Sequence, residues 1–166
     1  MKWWTTVSLA VLASASLMIA ACGGDNAAPS NRGKSGGKAQ AFHPDVPADY
    51  KDRKPPAGLD LKNADVIAKG KELFANADRG NCVSCHGASG KGDGPLGASL
   101  DPKPSDLTDP AAHELVTDAY IFWRIKTGNA GWGNHDGKVS GMAGFANGSD
   151  EDIWQVVAYV RSLNGK

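Results

Sequence analysis

Cysteine is scarce in this chain, three among 166 residues, and only two of the three are closely spaced. A disulfide framework needs an even and denser set. A structural zinc site takes about four ligands, and there is no second cysteine pair to supply them. Charge of one sign is missing as well, because 18 basic residues face 18 acidic ones. Nucleic-acid binding leaves a basic footprint, so that class is excluded. Strand-type alternation of polar and apolar residues is almost absent, which argues against a sheet-based fold. No apolar run reaches the roughly 20 residues of a membrane-spanning helix. Of three methionines, Met1 and Met18 lie in the leading segment and only Met142 lies beyond it.

What is present is concentrated in Cys82-Val83-Ser84-Cys85-His86. C-x-x-C-H is the attachment signal for c-type haem. The two thiols add across the haem vinyl groups, and the adjacent imidazole becomes the proximal ligand of the iron. A thioredoxin-like dithiol would sit in a βαβ pattern, and none surrounds this one. Cys82, Cys85 and His86 are therefore the expected cofactor-binding residues, and the expected cofactor is one covalent haem c.

The third cysteine belongs to a different signal. Met1-Lys2 makes a positive start, Val7 to Ala21 is apolar, and Ile19-Ala20-Ala21-Cys22 has the form of a bacterial lipobox. A secretory signal has an apolar region of about 7–15 residues before a small-residue cleavage site. Residues 1–21 are thus expected to be a lipoprotein signal peptide, with the mature chain starting at a lipidated Cys22. More than one acyl chain makes such an anchor stable. The expected location is extracytoplasmic, on the periplasmic side, tied to the membrane at Cys22.

Residues 22–58 read as a flexible linker of Gly, Ser, Ala, Asn, Lys and Pro, with prolines at 29, 44, 47, 55 and 56. Such a stretch buries too little apolar surface to order itself. Its reach is roughly 35 Å. The portion from Phe42 to Pro56, which contains Tyr50, is stiffer and could wrap along the domain. Residues 59–166 form the domain and carry 11 basic and 14 acidic side chains, a formal −3. That balance also disfavours a strongly basic docking face.

Within the domain three helices are legible. Val66, Gly70, Leu73 and Phe74 recur at helical spacing. Thr117 or Asp118 can cap a helix over Ala119 to Thr127, with Gly128 where a terminating glycine belongs. Ser149 is a good N-cap, Glu151 and Asp152 suit the positive end of the helix dipole, and Ile153, Val156, Val157, Val160 and Leu163 follow at helical intervals. Asn164-Gly165 ends that helix. Glycine in mid-helix costs about 1 kcal/mol relative to alanine. Gly70 is expected to repay that by letting the C-terminal helix cross closely, with Phe74 against Trp154 or Tyr159.

These features together resemble a class I cytochrome c over about residues 60–164. The likeness is carried by the Gly70/Phe74 helix, Cys82-x-x-Cys85-His86-Gly87, Gly90-x-Gly92-Asp93-Gly94-Pro95, Leu100-x-Pro102-x-Pro104-x-Asp106-Leu107, the helix ending at Gly128, a late methionine and the C-terminal helix. The resemblance implies an all-α fold of short helices and loops around one covalent haem, attached outside the cytoplasm, with His/Met ligation and electron transfer without bond-making chemistry. Thioether sulfur suits haem iron and raises its potential. Met142, in Ser140-Gly141-Met142-Ala143-Gly144, lies where the family presents its distal methionine, although many relatives have proline in place of Ala143. His135, His113 and His43 are the rival ligands. In relatives a proline carbonyl after the C-x-x-C-H loop accepts from the proximal histidine, and Pro104 or Pro102 could serve. Arg124, Trp123 and Trp132 could bond the propionates, or could be core or surface residues. Gly92-Asp93-Gly94-Pro95 reads as a turn, and no catalytic residue is assigned.

The expected function is that of a membrane-tethered one-electron carrier and not an enzyme. Its expected partners are redox proteins: a quinol-oxidising complex, a dehydrogenase or a terminal oxidase. The alternatives are a subunit of a larger membrane oxidoreductase, and a haem enzyme or gas sensor with an open sixth site. Cys22→Ser should abolish lipidation and leave the haem domain folded, since the intervening linker carries little structure. Mass spectrometry of the mature N-terminus checks this, and an unmodified cleavage site elsewhere removes the anchor.

Overall fold

Six α-helices, two short 3-10 turns (Gly97–Ser99 and Gly128–Gly131) and no strand occur among the described residues, 45–131 and 139–166 of the computed structural model: α1 (Ala48–Lys51), α2 (Ala64–Ala75), α3 (Val83–His86), α4 (Pro110–Leu115), α5 (Asp118–Thr127) and α6 (Asp150–Ser162). The all-α expectation holds for these residues. Cys22, the leading segment, His43, Trp132 and His135 lie outside them.

Each long helix starts on a side chain that accepts orphan backbone N–H groups. Asn63 Oδ1 accepts from Asp65 and Val66 at 2.8 and 3.3 Å. Thr117 and not Asp118 caps α5, accepting from Tyr120 N–H at 3.1 Å. Ser149 and Asp152 form a reciprocal capping box on α6, reinforced where Arg79 pairs with Asp152 at 2.7 Å. Gly128 ends α5 with φ +57°, a conformation that disfavours any side chain. The short α1, α3 and α4 span only four to six residues. That is too little chain for a period of 3.6 to show.

Phe122, Trp123, Ile153, Trp154, Val156 and Val157 are the largest side chains fully removed from solvent. Burial of each contributes on the order of 2 kcal/mol. Phe122 lies against Trp154 with ring centroids 4.7 Å apart, and Phe74 meets the edge of Tyr159 at 5.2 Å. The α2–α6 contact is the most extensive between helices. It depends on Gly70: a Cβ there would overlap the carbonyl oxygen of Gln155 in α6 and stand 3.0 Å from the Tyr159 Cβ. The missing methyl is what lets the two backbones touch.

Inside the segment read as linker, α1 lies along α5. Tyr50 faces Phe122 at 6.4 Å, and the Arg53 guanidinium stands 5.7 Å from the Phe122 ring while pairing with Asp150 at 2.6 Å. Val46, Leu59 and Leu61 pack on the same core. The stiff part of the linker thus follows the domain surface.

Gly70→Ala should destabilise the fold by about 1–3 kcal/mol, because overpacking at a backbone contact outweighs the roughly 1 kcal/mol that alanine gains in helix propensity. The denaturant midpoint of the holoprotein measures this, and a midpoint at or above that of the parent contradicts the close-crossing account.

Candidate haem site

The C-x-x-C-H segment folds as a single helical turn with Cys82 at its N-cap and His86 at its end. A turn this short leaves its carbonyls without helical partners. The loop that follows supplies them: Gly92 N–H donates to His86 O at 2.9 Å, Gly94 N–H to Cys85 O at 3.1 Å and Leu96 N–H to Ser84 O at 2.8 Å. Glycine is needed for the approach. A Cβ on Gly94 would lie 2.5 Å from Ser84 O and 2.6 Å from Val83 O, and one on Gly97 would lie 2.5 Å from Cys85 O. The turn expected over Gly92–Pro95 is therefore a backbone cradle for α3.

His86 is half-buried, and its Nδ1 lies 3.2 Å from the carbonyl oxygen of Ser105. A carbonyl only accepts, so Nδ1 carries the hydrogen and Nε2 keeps its lone pair. Desolvation lowers the pKa of the imidazole, against the opposing pull of the Ser105 carbonyl, and the ring is neutral at neutral pH. Phe74 stands beside it at 6.4 Å between centroids. The carbonyl expected from Pro102 or Pro104 comes instead from Ser105. The Pro104 carbonyl is turned toward Gly92, 2.5 Å from where a Cβ there would sit. Nothing local to Ser105 marks that role in the sequence.

Cys82 and Cys85 are both half-buried and form no disulfide with each other. Burial pushes the Cys82 thiol up to about 11, helped by its neighbour Cys85 and opposed by its own backbone N–H. That is the reverse of a reactive redox dithiol, whose nucleophilic cysteine is held as thiolate.

Met142 lies in a loop pinned to the end of α5. Its carbonyl accepts from Asn129 N–H at 2.8 Å, its N–H donates to Ser140 Oγ at 3.2 Å, and Phe145 N–H donates to Ile125 O at 2.7 Å. Gly128 makes the seam possible, since a Cβ there would stand 2.5 Å from Met142 O. The half-buried Met142 side chain packs on the core. Its Sδ stands 3.9 Å from Nη2 of Arg124, a buried guanidinium whose Nη1 donates to Gly128 O at 2.6 Å. Burial lowers the pKa of Arg124, and nearby Tyr120 opposes the shift. Trp123 is core, 2% exposed and edge-on to Tyr120 at 5.8 Å. His113 has both ring nitrogens engaged, by Leu107 O at 2.8 Å and by Arg161 Nη1 at 3.4 Å. Both nitrogens of this rival ligand are therefore already engaged by the protein.

A neutral imidazole with Nδ1–H already donated, next to two cysteine side chains on one turn, is the donor set that a c-type haem takes. The residues fit the group. The cytochrome c family model matches residues 67–164. The chain belongs to the cytochrome c family. As a cytochrome c it is an electron-transfer haem protein with covalently bound haem c. No curated protein matches. Among solved structures it is similar to a chain of the Kuenenia stuttgartiensis reducing HAO-like protein complex, at 24% identity and a TM-score of 0.47 over 69% of this chain. The match spans about half of that longer chain, 53% of its length.

Gly94→Ala forces the loop off α3, and should lower stability by about 1–3 kcal/mol, as overpacking does. It should also reduce the fraction of chains isolated with haem. Denaturant unfolding and the haem-to-protein absorbance ratio check this, and wild-type values for both sink the cradle account.

Proposed function

We propose that this cytochrome c is a one-electron carrier with a single haem c bonded through Cys82 and Cys85 and ligated axially by His86 and Met142. It is tethered outside the cytoplasm, on the periplasmic side of the membrane, by lipid on Cys22. The observation that carries the reading is the state of His86: Nδ1–H donated to Ser105 O at 3.2 Å, with the Nε2 lone pair left for a metal. When bound, the haem supplies reversible Fe(III)/Fe(II) exchange.

The chain's own residues do the rest. The glycine cradle fixes the turn that carries the thiols and the imidazole, and the Ser105 carbonyl orients the ring and raises its basicity. The α5-pinned loop offers Met142, the one methionine beyond the leading segment. Two protein ligands keep substrates off the iron and suit outer-sphere transfer, so no enzymatic reaction is assigned. Donor and acceptor are redox proteins at the same membrane, of the quinol-oxidising, dehydrogenase or terminal-oxidase kind. The packing of 45–56 on α5 ties that part of the linker to the haem domain.

Met142→Ala tests the central point. It should lower the reduction potential by on the order of 0.1 V, within the roughly 0.8 V over which axial ligands set haem potentials. The weak long-wavelength sulfur-to-iron band should vanish, and carbon monoxide should bind the reduced protein quickly. Met142→His should restore a six-coordinate iron at low potential. If His135→Ala opens the iron and Met142→Ala does not, the ligand is histidine. If the wild-type ferrous protein already binds carbon monoxide fast and stoichiometrically, the carrier reading gives way to an enzyme or sensor.

A further inference from the structure

The carbonyl that receives His86 Nδ1–H belongs to a segment with no secondary structure of its own, and Ser105 itself is exposed. Something else must hold it. Over the next three residues the chain is tied on several sides. Leu107 N–H donates to Gly90 O at 2.7 Å, just past the C-x-x-C-H turn, and Gly165 N–H donates to Thr108 O at 3.1 Å, just past α6. Asp106 Oδ1 accepts from both Thr108 N–H and Thr108 Oγ1, at 2.8 and 2.7 Å. The Leu107 carbonyl is held by His113 of α4, whose Nε2 lies 2.8 Å away.

His113 is in turn fixed from behind. Arg161 of α6 reaches its Nδ1 with Nη1 at 3.4 Å, its carbonyl with the same nitrogen at 2.9 Å, and the Val116 carbonyl with Nη2 at 2.7 Å. Asp118 holds Arg161 Nε at 2.6 Å. The tautomer follows from the partners. A guanidinium only donates and a carbonyl only accepts, so Nδ1 of His113 accepts from Arg161 and Nε2–H donates to Leu107. One imidazole thus relays the position of α6 to the segment that presents the Ser105 carbonyl.

We propose that His113, braced by Arg161, is a positioning residue for the haem: by holding the Leu107 carbonyl it fixes the Ser105 carbonyl against His86, and so sets the donor strength of the proximal imidazole. The inference rests on the reading of His86 as proximal ligand. A carbonyl on Nδ1–H makes the imidazole more basic, which favours ferric iron. Slackening that bond raises the reduction potential.

His113→Asn and His113→Gln separate the two sides of the ring. Asparagine keeps a polar atom near Nδ1 for Arg161 but is too short to reach Leu107, whereas the glutamine amide can donate from about the position of Nε2. In the haem-loaded protein, Asn should raise the reduction potential and shift the proton signal of His86 Nδ1–H, and Gln should return both toward the parent values. If Asn fails to fold, Arg161→Lys, which keeps the charge and loses the fork, should move potential and signal in the same directions. A folded Asn or Lys variant with unchanged potential and unchanged His86 signal overturns the proposal. So does a Gln variant displaced as far as Asn. Wild-type haem protein lacking histidine on the iron overturns the ligand reading and this inference with it, whereas histidine-bound wild type with unmoved variants overturns this inference alone.

Discussion

A single hydrogen bond, His86 Nδ1–H to the Ser105 carbonyl, is the constraint on which the candidate site depends. It sets the tautomer, and with it which ring nitrogen is free for a metal. A neutral hydrogen bond of this kind is worth about 1 kcal/mol, too little to hold two irregular segments together. The geometry is therefore imposed from outside. The glycine loop grips one side through the α3 carbonyls, and His113 of α4 and Gly165, just past α6, grip the other through Leu107 and Thr108. The supports of the site converge from distant parts of the chain.

Close backbone approach recurs as the means of that convergence. Gly70 lets α2 touch the Gln155 carbonyl of α6, Gly94 lets the loop reach the α3 carbonyls, and Gly128 lets the Met142 loop join the end of α5. Each absent side chain costs conformational entropy, about 1 kcal/mol for glycine in a helix. The return at each position is a contact that no other residue permits. Burial works in the same direction chemically: it keeps the Cys82 thiol protonated and the His86 ring neutral. A neutral imidazole is the state that can donate a lone pair.

Much of this was legible in the residues themselves. Cys82-x-x-Cys85-His86 names its cofactor because haem attachment needs those groups in that order within one turn, a local requirement that a linear pattern can carry. The helices α2, α5 and α6 were readable because they are long enough to repeat, and α5 and α6 also carry Thr117 and Ser149 at their starts, each able to satisfy orphan N–H groups at short range. The mid-helix Gly70 announced a close crossing, since a residue unfavourable for the helix implies a gain elsewhere.

Tertiary structure decided what depends on distance along the chain. That Ser105 and neither Pro102 nor Pro104 meets His86 follows from where the Leu107–Thr108 ties stop the segment, a matter of contacts with Gly90, His113 and Gly165 that no neighbouring residue encodes. His113 looked like a spare ligand until α6 brought Arg161 to its other nitrogen. The course of 45–56 along α5 was equally hidden, because its anchors, Phe122 and Asp150, lie about 70 to 100 residues downstream of Tyr50 and Arg53. Local chemistry is written in sequence order, so the sequence determined the cofactor and the long helices. The orientation of the imidazole and the surface that the linker follows arise only when separated segments pack.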